Sequence, residues 1–315
     1  MGFPVGFFYL RASTLRLPPN RGYPKEPTTS ATSGSREISD GTRNSFWGDG
    51  CKIGSFAMVS TAAQSDPRTA GYQRWSLLTF LHWRVAPETL QALLPSGLQI
   101  QQFDGSAWLG VVPFSMERVR PWWSPAIPGV SWFLETNVRT YVVDERGVAG
   151  VWFFSLDADS RLAVNLARTF WHLPYKLAAM SLSVNRSHDN ASPARITYAG
   201  LRKEAPAARY ELTLDLPDVE PKPARQGTLE HFLVDRFLLF ATDRKQQLRS
   251  GRVHHQPYRI ITPISIVGTQ SLTSAIGCHD LNITSADHAA FCQGVDVRVS
   301  PLKIGMNQRH GAGRQ

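Results

Sequence analysis

The sequence predicts an α+β protein that is predominantly antiparallel β, its sheet closed into a barrel-like form with a few peripheral helices. Three observations point there. Eight or more segments carry period-two alternation or short apolar runs, and brief turns separate them. Only three segments carry helix signals, and all are short. No stretch alternates strand, helix and strand as a parallel sheet would, and no internal repeat is evident.

Trp75 to Val85 reads as the first strand, with Trp75, Leu77, Thr79, Leu81 and Trp83 on one face. Pro87 to Leu94 makes a short helix with proline at an early position, ended by Pro95-Ser96-Gly97. Leu98 to Phe103 and Ala107 to Met116 are strands joined by the hairpin signal Asp104-Gly105. Pro121-Trp122-Trp123-Ser124-Pro125 to Pro128-Gly129 is a proline-rich loop; a lid or partner surface and a packed loop are both open readings. Phe133 to Val143 alternates again. Asp144-Glu145-Arg146-Gly147 then turns the chain into Val148–Leu156, and Asp159 or Ser160 caps a helix to about Phe170. Strands follow near Leu177–Asn185, Arg195–Leu201 and Ala208–Leu214, with Asn190–Pro193 as a turn. Thr228 caps a helix to Asp235. Strand signals return at Phe237–Ala241, Arg252–Pro257, Ile260–Val267 and Val295–Val299.

The ends differ from this body. Residues 1–70 carry Pro18, Pro19, Pro24, Pro27 and the run Thr28 to Ser35 without a sustained period, and 304–315 end in Gly311-Ala312-Gly313-Arg314-Gln315. Such composition cannot bury enough apolar surface to offset ordering entropy, so both are expected to be disordered around a domain spanning 71–303. Met58 lies just before the patterned region and is an alternative translation start. The net charge of +9 belongs mostly to the ends: residues 71–301 hold 23 Lys/Arg against 20 Asp/Glu. With no basic stripe interleaved with aromatics, nucleic-acid binding is not expected. Cys51, Cys278 and Cys292 are odd in number and lack CxxC spacing, so neither a disulfide framework nor a zinc site is expected, and a cytoplasmic setting fits. No run of 18 apolar residues suggests a membrane span. A homo-oligomer stays open.

No GxGxxG, P-loop, HExxH or GxSxG motif occurs, and no cofactor or metal is expected. His254 and His255 are adjacent and on a strand would point to opposite faces; His255 reads either as an inward acid/base group or as a structural histidine. Asp157, closing a strand before a capped helix, reads as a cap or turn residue. The candidate chemistry lies between Phe133 and Lys176. One face of the Phe133 strand carries Glu135, Asn137, Arg139 and Tyr141; the other carries Leu134, Thr136, Val138, Thr140 and Val142. The polar face looks either at water or into a cavity. Glu135 and Arg139 share it, roughly 13 Å apart along the strand. Lys176, set among apolar neighbours in Leu173-Pro174-Tyr175-Lys176, is either a desolvated amine able to form a Schiff base or a lysine that reaches water or pairs with an acid such as Glu135.

Six ordered blocks carry a resemblance: Phe80-Leu81-His82-Trp83, Leu94 to Leu98, Phe103 to Phe114, Glu135 to Tyr141, Gly150 to Ala158 and Leu173-Pro174-Tyr175, with Arg252 to Tyr258 fitting a later histidine–proline segment. They resemble the bacterial YqjF-like family, domain of unknown function 2071, over about 74–301. That family is similar to the acetoacetate decarboxylase-like superfamily, which implies a closed, largely antiparallel barrel around a small polar pocket. Acetoacetate decarboxylase carries an aromatic-Pro-Lys-Lys segment whose first lysine forms the Schiff base. Here Tyr175 stands in that place and only Lys176 remains, so a standard acetoacetate decarboxylase is not implied. Glu135 resembles the family's pocket glutamate. The resemblance implies a pocket for a small organic acid or carbonyl compound, with Glu135 and Lys176 as catalytic residues of lyase-like chemistry and Asn137, Arg139, Tyr175 and His255 binding the ligand. A non-catalytic ligand-binding protein is the alternative.

Overall fold

The structure is a computed structural model and describes residues 69–186 and 193–304. The expectations for 1–68, for 305–315 and for most of the Asn190–Pro193 turn lie outside the described residues. In chain order the elements are β1 (Gly71–Val85), α1 (Pro87–Gln91), β2 (Leu98–Ile100), β3 (Ala107–Pro121), β4 (Phe133–Asp144), β5 (Ala149–Ala158), α2 (Arg161–Phe170), β6 (Tyr175–Arg186), β7 (Pro193–Arg202), β8 (Arg209–Asp215), β9 (Lys222–Pro223), α3 (Leu229–Val234), β10 (Leu238–Thr242), β11 (Leu248–His254), β12 (Arg259–Ile261), β13 (Ser265–Gln270), β14 (His288–Val299) and β15 (Lys303–Ile304).

Strand pairing closes a barrel-like ring in the order β4–β5–β10–β11–β14–β1–β3 and back to β4, antiparallel at every step except β5–β10. Inside it lies one apolar cluster with contributions from each ring strand, among them Phe80, Trp108, Phe114, Tyr141, Leu156, Val253 and Val297, with Leu239 of β10 packed against them. A second layer, β6–β7–β8–β13, packs against the outside of β1, β3 and β4 through Ile196, Tyr198, Tyr210 and Leu212. Covered on both sides, the segment Leu78–Trp83 is buried without a break, as a doubly covered strand should be.

Several elements depart from the sequence expectation. The β5–α2–β6 segment is a strand–helix–strand unit whose strands pair in parallel, Leu156 opposite Tyr175 and Asp157 opposite Lys176, so the fold does contain one such crossover. The one-face reading of β1 fails because the strand bulges: Leu77 has φ 54° and the register to β3 shifts between Ser76 and Leu81. Trp75 therefore joins the inner cluster with Leu78 and Phe80, while Leu81 and Trp83 face the second layer. Gly294 sits across from this bulge at φ +156°, where a Cβ would come within 2.8 Å of the Trp75 carbonyl oxygen. The span Ile260–Val267 is two strands, β12 on β14 and β13 on β8, broken at Thr262-Pro263. β14 runs seven residues earlier than expected, from His288. α3 is not peripheral throughout, since Phe232, Leu233 and Val234 enter the inner cluster. Ser160 caps α2 by accepting from the Ala163 amide. Trp122 and Trp123 are exposed, 64% and 71%. Among the described residues no helix is long and apolar enough to cross a membrane.

Candidate functional site

β4 is buried on both faces, and this decides where its polar residues look. Its outward side chains meet the second layer: Thr136 Oγ1 and Tyr210 Oη share a 2.6 Å hydrogen bond, and Val138 packs beside Ile196. Phe133, Glu135, Asn137, Arg139 and Tyr141 alternate toward the ring interior, all buried. The strand does not show its polar face to water.

Pairing fixes what surrounds Glu135. It stands opposite Phe114 of β3 and Ala158 of β5, and the parallel β5–β6 pair brings Tyr175 to the same face. Tyr175 Oη donates to Glu135 Oε2 at 2.7 Å. Burial pushes the Glu135 carboxyl up from its ordinary 4.5 to about 7, against the opposing effect of that bond. The Tyr175 phenol is held well above its usual value by burial and by the Glu135 charge. Tyr175→Phe removes the one donor to this carboxylate among the described residues, so the Glu135 pKa should rise further. A carbon-13 NMR titration of the side-chain carboxyl would check this; an unchanged or lowered midpoint would count against the pairing.

Arg139 lies two pairs along. One nitrogen, Nη2, donates to the Leu233 carbonyl at 2.8 Å, and the guanidinium sits 5.5 Å from the Phe80 ring centre. It has no acidic partner among the described residues, and Nε is buried without a hydrogen bond, as is Asn137 Oδ1. Beyond it, Tyr141 Oη donates to Leu233 O at 2.7 Å and lies 2.7 Å from His82 Nε2. With its proton given to the carbonyl, Tyr141 accepts from His82, so Nε2 carries the His82 hydrogen. His82 Nδ1 must then accept from His288 Nδ1, 3.0 Å away. Burial suits these neutral tautomers: it lowers both histidines, His288 to about 4. Arg236 lies over the Tyr141 ring at 5.1 Å and is lowered to about 10, chiefly by burial.

Gly110 makes room for this group. A Cβ there would meet the His82 ring at 2.8 Å and Arg139 Cγ at 3.4 Å. Gly110→Ala is expected to cost about 1–3 kcal/mol by overpacking, read as a lowered denaturation midpoint with unchanged slope; an unaltered midpoint would show that His82 is free to move.

Lys176 lies elsewhere, and His255 stands at the edge of the inner cluster. Lys176 shares the face of its register partner Asp157, opposite to Tyr175, and its Nζ donates to Ala205 O at 3.1 Å. Alternation along β6 thus turns Lys176 away from Glu135, and no pair forms between them. His255 lies just beyond β11, so the opposite-face argument does not apply; it and His254 line one surface cleft. Its ring packs on Phe237, Tyr258 and Trp75, Nδ1 is 2.7 Å from Gln256 O, and Nε2 is buried without a partner. Asp157 is no cap: it forms an ion pair with Arg202 at 2.8 Å, with side-chain exposures of 2% and 1%. Among the described residues no three His, Cys, Asp or Glu side chains group as metal ligands, and Cys278 and Cys292 are buried free thiols. Sequence reasoning missed His82, His288 and Arg236. A histidine inside the apolar run Phe80 to Trp83 was the one available signal, whereas His288 and Arg236 join only through pairing across the fold.

Residues 72–296 match the family DUF2071, described as an uncharacterized conserved protein. The chain is 34% identical over 232 residues to the uncharacterized protein YqjF of Bacillus subtilis (strain 168), covering 73% of this chain and 90% of that protein. Among solved structures it is similar to an acetoacetate decarboxylase-like enzyme from Sphingomonas wittichii RW1 (17% identity, 80% and 99% of the two chains, TM-score 0.51). It is also similar to the enduracididine biosynthesis enzyme MppR, complexed with the condensation product of pyruvate and imidazole 4-carboxaldehyde (13%, 75% and 89%, TM-score 0.53). A third is acetoacetate decarboxylase from Legionella pneumophila (16%, 78% and 93%, TM-score 0.50). At these identities the likeness is one of fold. The chain belongs to the DUF2071 family and has an acetoacetate decarboxylase-like fold.

Proposed function

We propose that the inner face of β4 binds a small organic acid or carbonyl compound and that Glu135 exchanges a proton with it. The observation that carries this reading is Arg139: a buried cation without an acidic partner among the described residues, its Nε unpartnered, with Asn137 Oδ1, two residues earlier on the same strand face, unpartnered as well. Leaving such groups unsatisfied is costly, and a ligand carboxylate or carbonyl together with a donor group would satisfy both. A carboxyl near 7 can serve as acid or base at neutral pH. In this reading the chemistry is not that of a Schiff-base decarboxylase, because Tyr175 occupies the inward position and Lys176 faces away. Binding without turnover is the second reading, and the closed hydrogen bond between Tyr175 and Glu135 favours it.

The test is calorimetric titration with acetoacetate and pyruvate, followed by borohydride trapping. Saturable binding is expected, weakened roughly 10- to 100-fold in Arg139→Met, the effect of losing a charge-assisted bond of about 1.5–3 kcal/mol. Lys176→Ala should bind as the parent does, and no adduct should form. Binding indifferent to Arg139, or a stoichiometric adduct on Lys176, would overturn the proposal.

A further inference from the structure

A different face of the ring gathers positive charge. Backbone register places Arg120 of β3 opposite Tyr72 of β1, Tyr72 opposite Arg298 of β14, and Arg298 opposite His254 of β11. Residues in register share a face, so these four form one row across four adjacent strands. The row lies outside the ring, because its neighbours Val119, Val253, Val297 and Val299 belong to the inner cluster. Arg252 follows two residues along β11 on the same face, and Arg118 reaches the row from the end of β3.

Together they line a cleft of about 740 Å³, within the usual range of about 300–1,000 Å³ for small-molecule sites. Asp296 is the single carboxylate among its lining residues, and it is already held by Arg118 at 2.8 Å and Arg74 at 3.4 Å. Arg252 and Arg298 have no acidic partner among the described residues. Arg120 lies 4.5 Å over the Tyr72 ring, which fixes the orientation of its guanidinium. Four arginines against one carboxylate leave a surplus that a single ligand carboxylate would not neutralise. Guanidinium forks match pairs of oxygens on a tetrahedral anion, and several forks around one space suit a ligand with high charge per group.

We propose that this cleft binds a small, multiply charged ligand through its phosphate groups, held chiefly by Arg298, Arg252 and Arg120. Glu135, Asn137, Arg139 and Tyr175 do not line this cleft, and its ligand need not be the compound that meets Glu135. The ligand phosphate could be free in solution or carried on a lipid headgroup; the contacts are the same.

The full chain titrated with sodium pyrophosphate at fixed ionic strength tests this. Saturable binding is expected, weakened about tenfold or more in Arg298→Glu and separately in Arg252→Glu. Lys203→Glu, an equal charge change at an exposed lysine not in the cleft, should leave it unaltered. Arg298 is exposed and makes no ion pair among the described residues, so that variant should keep the parent's thermal transition. Sedimentation with vesicles containing phosphatidic acid separates the sources: loss of vesicle binding in the same two variants would assign the phosphate to a lipid. Citrate binding as tightly as pyrophosphate would overturn the phosphate assignment. Equal weakening by Lys203→Glu, or full binding in both arginine variants, would overturn the site.

Discussion

Replacing Arg202 with alanine is expected to cost about 3–5 kcal/mol of folding stability, the usual consequence of removing one partner from a buried ion pair. Arg202 Nε lies 3.0 Å from both Asp157 oxygens, and Nη2 donates to Ser155 Oγ at 2.9 Å. Burial raises the Asp157 pKa, and Arg202 opposes that rise through its bonds and its charge. Without the guanidinium the carboxyl stays between the ring and the second layer with no cation of equal reach. The Lys176 ammonium, on the same face, is turned to Ala205 O. The double variant Asp157→Leu, Arg202→Met should recover most of the loss, because an apolar pair needs no desolvation of charge. Equilibrium denaturation checks both, and a single-variant loss under about 1 kcal/mol would mean that water reaches the pair.

That pair marks how far the sequence could be read. Strand existence was legible where polar and apolar residues alternate, as in β8, which buries one face, and in β4, which buries both. The bulge in β1 was not, since Leu77 at positive φ carries no residue signal of the kind glycine gives. The parallel β5–β6 pair was not legible either: a capped helix between two strands reads the same whether it returns beside the first strand or crosses elsewhere. In the site, the type and spacing of Glu135, Asn137 and Arg139 were readable. Their direction came from the resemblance, because an alternating polar face reads the same toward water or toward a core. Lys176 was the costlier case. Its neighbours are apolar, yet a strand shows each side chain to one face only, and the register of β6 against β5 gives the inward place to Tyr175. Asp157 read as a turn residue because its partner lies 45 residues away.

Glu135→Gln should stabilise the protein increasingly as pH rises from about 4.5 to about 7, and the sign follows from the proton balance. The folded carboxyl titrates at about 7 and the unfolded one at its ordinary 4.5. Between those values the folded state holds a proton that the unfolded state has released, so raising pH favours unfolding. Below 4.5 both states are protonated and no penalty exists; above 7 both are ionised and the penalty is complete. At 1.36 kcal/mol for each pH unit, the gap amounts to about 3 kcal/mol. The parent's own profile mixes this with an opposite contribution: His288, lowered to about 4, gains stability as pH rises toward 6.5. Subtracting parent from variant removes that contribution, because both proteins carry His288. Glutamine keeps an acceptor for the Tyr175 hydroxyl, so the difference reports charge rather than a lost bond. Stability from urea denaturation at pH 4.5, 6 and 8 should therefore diverge by about 3 kcal/mol across the series. Parallel profiles would show that the carboxyl ionises at its ordinary pH. They would also remove the reason to assign Glu135 a proton-transfer role at neutral pH, since a carboxyl ionised throughout cannot donate.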